Sequence, residues 1–298
     1  MKKVLIFLLA SMACIYAANA QSIIDADDQR NPNDFYVKVI TTGKKAMPYP
    51  PVRESDVVWE NVIWRDIDLN EKFNQFFYFP ADDEKQTQGR TNLVNLIVKA
   101  VQNGEIPAYE DDDMVKEYDP EEAMRQLAGD AYTKEVEKTD ADGNQMWDEE
   151  TGEALMETKT FTREFKKETA KKLHIKEKWY IDKQDTRQKV RILALSFDYL
   201  KENVNNEEVP ATSFWIPMDD MRVRQVLVNA NAYDENNDVK ERSYDDIFIQ
   251  RYFDSYIVRE TNTQNRKLED YLTGEDAILQ SQAIEDKIFD IESDMWEY

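Results

Sequence analysis

Apolar residues in the middle of the chain fall into blocks that predict β-strands. Val57 to Leu69 is rich in β-branched and aromatic residues, which favour strands. His174 to Asp182 and Lys189 to Phe197 have the same character and are separated by a polar turn from Lys183 to Arg187. The block that begins at Lys189 is apolar enough to lie inside a sheet. Pro210 to Met218 is a third strand candidate in this half of the chain.

Apolar residues elsewhere recur with helical spacing. After Asn92 they fall at i, i+3, i+4 and i+7, so a helix is predicted there, with Thr91 or Asn92 as its N-cap and Gly104 as its left-handed C-terminal residue. Pro120 near the start and Gly129 at the end bound a second helix, because proline is tolerated at the first helical position and glycine favours the position after the last.

Further capping signals predict a short helical turn and more helices. Asp68 with Glu71 forms a capping box for a turn, and Ser243 with Asp246 begins a helix. That helix is expected to carry Ile249, Tyr252, Phe253 and Tyr256. Another helix follows Met218, with Val223, Val226, Leu227 and Ala230 on one face. The last helix begins after Gly274 and places one stripe at Ile284, Ile288, Ile291 and Met295. Together with the strands, these elements predict an α+β fold, a single domain with a small antiparallel sheet flanked by several helices.

The first residues resemble a secretory signal peptide. Lys2 and Lys3 precede an apolar run from Val4 to Tyr16, which is too short to cross about 30 Å of hydrocarbon, and cleavage is expected after Ala20. Cys14, the only cysteine, lies in this segment and leaves a lipoprotein cleavage box as the alternative. After cleavage at Ala20 no cysteine remains, so stability must come from packing.

The rest of the chain divides by composition. Residues 21–54 are polar and end in a proline-rich stretch, which predicts an extended N-terminal arm that either extends into solvent or lies along a neighbour. Residues 55–298 form the α+β domain. A hydrophilic insertion at about 134–160 within it is rich in turn residues and reads as an exposed hairpin or an inserted loop.

Charge is distributed unevenly. The chain carries 61 acidic and 38 basic residues, a formal net charge of -23, which opposes binding to nucleic acid or anionic lipid. From Arg163 to Arg191, called the basic region below, eleven Lys and Arg stand against five Asp and Glu. We expect this region to face an acidic surface, either the Glu110 to Glu122 run of the next subunit or a partner's, and a solvated basic face is the alternative.

Residues that could support catalysis are few. His174 is the single histidine, so triad chemistry is nearly excluded and a structural role is favoured. Zinc ligands are lacking, and the segment from Asp140 to Asn144 has its glycine at the wrong position for a calcium loop. No catalytic residue, cofactor or metal is therefore predicted. The alternative is a periplasmic carbohydrate-active or cell-wall-binding protein that uses carboxylate pairs and Trp59, Trp64, Trp147, Trp179 and Trp215.

Three stretches resemble the GldN/PorN family of gliding-motility and type IX secretion proteins. They are Val52 to Leu69 with its VVWENVIWRDIDL motif, Ile175 to Leu193 with IKEKWYIDK and VRIL, and Asp245 to Ile257. The resemblance implies a non-catalytic periplasmic subunit that forms a ring with an outer-membrane lipoprotein of the GldK/PorK type and is held at the outer membrane through it. It also implies contact with a trans-envelope motor protein of the GldM/PorM type.

Partner-binding residues are predicted in the arm, in the first family stretch and in the basic region. These candidates are Tyr49, Trp59, Trp64, Arg65, Lys166, Lys167, Lys171 and Lys172.

Overall fold

The structure is a computed structural model that describes residues 44–80, 90–129, 132–137, 156–161, 165–202, 208–233 and 242–294. Residues from Lys45 onward belong to one compact unit. The predicted signal peptide, residues 21–43 of the predicted arm, Trp147, Met295 and the segment from Asp140 to Asn144 lie outside the described residues.

Ten strands and six α-helices occur in the described ranges. The strands are β1 (Val57–Asp68), β2 (Ala108–Tyr109), β3 (Glu117–Tyr118), β4 (Tyr132–Glu137), β5 (Met156–Phe161), β6 (Ala170–Asp182), β7 (Arg187–Glu202), β8 (Glu208–Thr212), β9 (Ile216–Pro217) and β10 (Tyr256–Glu260). The helices are α1 (Gln75–Tyr78), α2 (Leu93–Gln102), α3 (Pro120–Ala128), α4 (Met221–Asn229), α5 (Tyr244–Gln250) and α6 (Glu275–Asp294). Short 3-10 turns lie at Glu54–Asp56, Lys72–Asn74, Lys167–Thr169 and Leu268–Asp270.

A six-stranded antiparallel sheet organises the domain. Its strand order is β10-β1-β6-β7-β8, and β9 also pairs with β7. The predicted α+β class and the interior position of β7 are therefore confirmed. Side chains alternate between the two faces, so Trp64 and Asp66 share one face and Arg65 and Ile67 the other.

The core lies against the face that carries Ile67. Buried sheet residues such as Leu173 and Leu195 belong to one apolar cluster with residues of α1 to α5, among them Phe77 and Leu127. A smaller cluster joins α6 to the sheet through Ile63, Ile257, Leu268, Ile284 and Ile288. The opposite sheet face, which carries Trp64, Asp66, His174, Lys176 and Asp198, is called the charged face below.

Most of the predicted boundaries are confirmed. Asn92 caps α2 by accepting hydrogen bonds from the amides of Val94 and Asn95 at 2.8 and 3.2 Å. Gly104 has φ +69° and Gly129 has φ +87°, the left-handed region that only glycine adopts without strain. For the insertion, where the sequence left an exposed hairpin or an inserted loop open, the described residues are β4 paired with β5, and residues 138–155 between the strands lie outside the described residues.

The predicted capping box of Asp68 and Glu71 is wrong. The short turn forms at Lys72–Asn74, but its N-cap residue Glu71 makes no side-chain cap hydrogen bond. The Asp68 carboxylate instead accepts a hydrogen bond from the Asn70 amide at 2.8 Å, which is closer along the chain. The local hydrogen bond between Asp68 and Asn70 therefore replaces the predicted capping box.

The predicted strand from Pro210 to Met218 is two strands. The chain leaves the sheet between β8 and β9, where Trp215 exchanges backbone hydrogen bonds of 2.8 Å with Tyr109 of β2. Ser213 spans the break, because its hydroxyl accepts from the Phe197 amide at 3.1 Å. The backbone pairing of Trp215 with Tyr109 therefore divides the predicted strand into two.

The helix predicted to reach Tyr256 ends earlier. Ser243 caps α5 as expected, accepting from the Asp246 amide at 3.2 Å, but α5 stops at Gln250 because Arg251 takes a left-handed conformation with φ +52°. Residues Tyr256–Glu260 form the edge strand β10. Pairing with β1 overrode the helical spacing.

Candidate interaction site

The charged face is covered by the acidic loop, which we define as Glu110–Glu117. Strands β2 and β3 close this loop, and Asp112 at its tip accepts a hydrogen bond from the Trp64 indole nitrogen at 2.8 Å. The same carboxylate lies 3.4 Å from the Lys176 ammonium and 3.0 Å from the Arg259 guanidinium. The three donors are adjacent because Trp64 pairs with both Lys176 and Arg259 across β6, β1 and β10.

This arrangement fixes the electrostatics of the loop. Burial opposes ionisation of Asp112, but the hydrogen bond from Trp64 and the charges of Lys176 and Arg259 outweigh it and lower the pKa of this carboxyl below its usual value. Lys176 also donates to the Asp112 carbonyl at 2.8 Å. One lysine of the basic region therefore meets the acidic run within the same chain. Asp112, Lys176 and Trp64 accordingly form a contact internal to the subunit.

His174 lies between two carboxylates on the charged face. Its Nδ1 is 2.5 Å from Asp66 and its Nε2 is 2.7 Å from Asp198. Burial lowers the pKa of the imidazole, but the hydrogen bonds to Asp198 and Asp66 outweigh it and raise the pKa from 6.5 to about 9. Both ring nitrogens thus donate, and the imidazolium joins β1, β6 and β7. This geometry supports the structural role that the sequence favoured.

Arg65 is buried on the other face of the sheet. Its guanidinium lies 3.5 Å from Glu177, which has a fully buried side chain, and 2.7 Å from Glu285 of α6. Arg251 meets the second oxygen of Glu177 at 2.5 Å. The two guanidinium groups also lie 6.0 and 5.3 Å from the ring centre of Trp179. Arg65 therefore holds α6 to the sheet. Its charge is already paired within the chain, although the sequence predicted that Arg65 binds a partner.

The described tryptophans that were proposed for sugar stacking lie beside other residues of the same chain. Arg259 lies over the Trp64 ring at 3.6 Å, and Trp179 lies between Arg65 and Arg251. Trp59 is half-buried on β1 and pairs with Ile181 in the backbone register. Trp215 is half-buried beside His174. Trp64 and Trp179 thus present rings already covered by cations.

Tyr49 holds the end of the predicted arm onto the domain. Its ring is 4.2 Å from the Arg224 guanidinium and 4.9 Å from that of Arg191. Arg224 donates to both carboxylate oxygens of Asp245 at 3.0 and 2.9 Å and also to the Met47 carbonyl. Burial raises the pKa of the Tyr49 phenol. Residues 45–50 thus lie along the protein's own domain.

The four candidate lysines differ in their surroundings. Lys172 donates to the Tyr256 hydroxyl at 2.7 Å and lies 3.9 Å from Asp66, so it belongs to the charged face. Lys171 is exposed at a bulge of β6. Lys166 and Lys167 line a groove of about 830 Å³ between α2, α3 and the turn at Lys167–Thr169.

This basic groove is lined by both apolar and cationic side chains. Its apolar lining residues include Val98, Pro120, Met124 and Phe165. Its cations are Lys99, Arg125, Lys166 and Lys167, against the two acids Glu121 and Glu168. A surface of this kind suits an acidic protein segment that also carries apolar side chains.

Several residues of these contacts were missed from the sequence. Glu177 and Arg251 lie in stretches that resemble the family, and Asp112, Arg224 and Arg259 have no local motif. Each of the five meets a partner at least 21 positions away. Arg224 lies between the apolar residues Val223 and Val226 of the face predicted for α4, and this was the one available signal for it.

Neither a metal-binding cluster nor a membrane-spanning helix occurs in the described part of the chain. No group of three or more His, Cys, Asp or Glu side chains there is placed to hold a metal ion. Within the same ranges, no helix combines the length and apolarity needed to span a bilayer.

The fold and these contacts define an α+β protein with a charged sheet face and a separate basic groove. The family model described as gliding motility associated protein GldN matches residues 52–297, so the chain belongs to the GldN family. The family is a structural family of the gliding motility and type IX secretion machinery. No match was found among the curated proteins.

Proposed function

We propose that this protein is a non-catalytic periplasmic subunit that joins an outer-membrane lipoprotein of the GldK/PorK type in a ring. The ring would contact a motor protein of the GldM/PorM type and remain at the outer membrane through the lipoprotein. The observation that carries the proposal is the GldN family match across 52–297, which includes the whole sheet and the basic groove.

The exposed basic residues are the ones that we expect to contact a neighbouring subunit of the ring. Lys166, Lys167 and Lys171 lie at the groove or beside it, and Lys166 and Lys171 are exposed. We assign Trp64, Arg65 and Lys172 to holding the surface in shape, because their contacts with Asp112, Glu177 and Tyr256 join separate elements of the chain. We assign Tyr49 to the same structural role, because it holds the end of the predicted arm against the domain.

Co-purification from detergent-solubilised envelope, followed by size estimation, tests the proposal. The protein should elute with a lipoprotein in a complex much larger than its 35.1 kDa chain. Replacing Lys166, Lys167 and Lys171 with Glu should remove it from that complex. Recovery of the unmodified protein as a free monomer would contradict the proposal.

A matched control keeps the change in charge constant. Arg53, Lys183 and Arg187 are also exposed, and they lie before β1 and at the β6–β7 turn. Their replacement with Glu should leave assembly intact. Equal loss in both triple variants would show that net charge matters and that the groove does not.

A further inference from the structure

The outer side of α6 is an apolar surface that other described residues leave exposed. Ile278, Leu279 and Phe289 are 62%, 54% and 69% exposed, although another side of the helix is buried through Ile284 and Ile288. Large apolar side chains with this exposure on a well-anchored helix mark an interaction surface.

The helix that carries this surface is strongly acidic. Seven acidic residues stand against the single Lys287 between Glu275 and Asp294. A two-fold contact between two copies of α6 would oppose like charges, which is unfavourable. The occupant of this surface must therefore be basic and partly apolar.

The basic groove is basic and partly apolar, and it lies near the opposite edge of the sheet. Helix α6 is held to the edge strand β10, since the Ile257 amide donates to Ser281 at 3.0 Å. The groove helix α3 is held to β7, since the Gln126 carbonyl accepts from Tyr199 and Lys201 at 3.0 and 2.7 Å. These two β7 residues pair with β8, the opposite edge strand.

We propose that α6 of one copy docks in the basic groove of the next copy, head to tail. The acids of α6 then face Lys99, Arg125, Lys166 and Lys167, and its exposed apolar side chains meet the apolar lining of the groove. Two different surfaces at opposite edges of one sheet make a heterologous contact, which repeats from copy to copy and closes into a ring when the rotation allows. The proposal rests on the proposed function, because it names the subunit contact within that ring.

Cross-linking between copies tests this contact. A variant with both Lys166→Cys and Asp290→Cys, treated with a bismaleimide in the assembled complex, should give a ladder of covalent dimers, trimers and larger species. Lys166→Cys alone and Asp290→Cys alone should give no ladder. Arg187→Cys with Asp290→Cys, which places one cysteine at the β6–β7 turn, should give none either.

Charge exchange tests it independently. Arg125→Glu with Lys166→Glu should reduce the assembled fraction at least about tenfold, and so should Asp286→Lys with Asp290→Lys. All four residues are exposed, so folding should be preserved. Combining the four changes should restore assembly.

The outcomes separate this contact from the proposed function. A complex that still forms with the lipoprotein but gives no ladder, or a ladder that stops at the dimer, overturns head-to-tail docking and leaves the proposed function intact. Failure of the unmodified chain to assemble overturns both.

Discussion

The Asp112 carboxylate accepts a hydrogen bond from the Trp64 indole at 2.8 Å and so binds the acidic loop to the sheet. Trp64 belongs to the first stretch that resembles the family, and Asp112 lies 48 positions away. The tryptophan therefore serves as an internal anchor, and its conspicuous place in the motif reflects the fold of the subunit.

Asp112→Ala should destabilise the protein by about 2 kcal/mol, because hydrogen bonds to a charged group contribute more than neutral ones. The free energy of unfolding in denaturant measures this, and hydrogen exchange should speed up across Glu110–Glu117. Asp113→Ala is the control, since that side chain is 78% exposed, and it should cost less than about 0.5 kcal/mol. Equal effects of the two changes would contradict the anchor.

His174 should make stability depend on alkaline pH. Its pKa is raised in the folded state to about 9, above its unfolded value near 6.5, so the stabilisation is complete below pH 6.5 and is lost as pH rises through 9. The contribution is on the order of 3 kcal/mol. Denaturant unfolding between pH 6 and 10, in roughly half-unit steps, should show this decline in the native protein and lose it in His174→Gln. A parallel decline in both proteins would refute the assignment.

Glu177→Gln should destabilise strongly, by about 3–5 kcal/mol, because it removes the buried counter-charge of Arg251 and leaves the buried Arg65 with Glu285 alone. Thermal or denaturant unfolding provides the measurement. Glu285→Gln is the matched control, since Glu285 also contacts Arg65 but is 49% exposed, and it should cost less than about 1 kcal/mol. A small effect at Glu177 would mean that this pair is readily rehydrated.

Tyr49→Ala should release residues 45–53 from the domain. The ring lies against Arg191 and Arg224, and loss of these contacts with the buried area should cost about 2 kcal/mol. Limited proteolysis in this segment should become faster, whereas Tyr49→Phe should keep most of the protection. Met47→Ala serves as the control, since Met47 is 77% exposed. Unchanged cleavage in Tyr49→Ala would contradict the role of the ring.

Local sequence signals determined much of the architecture. Strand β1 and the β6–β7 hairpin follow from β-branched and aromatic residues, and the ends of α2 and α3 follow from Asn92, Gly104, Pro120 and Gly129. Each of these features depends on residues within about one turn or one strand, so a linear reading contains the needed information. The family stretches likewise contain their information in consecutive positions.

The tertiary structure alone decided which charges face one another. Lys176 meets Asp112, and Arg65 meets both Glu177 and Glu285, because sheet pairing brings together residues that are 64 to more than 100 positions apart. The strand at Tyr256–Glu260 was missed for the same reason, since its partner β1 lies near the other end of the domain. The sequence shows which charged and apolar residues are available. Long-range pairing and burial decide which of them meet and create the low-dielectric surroundings in which they interact.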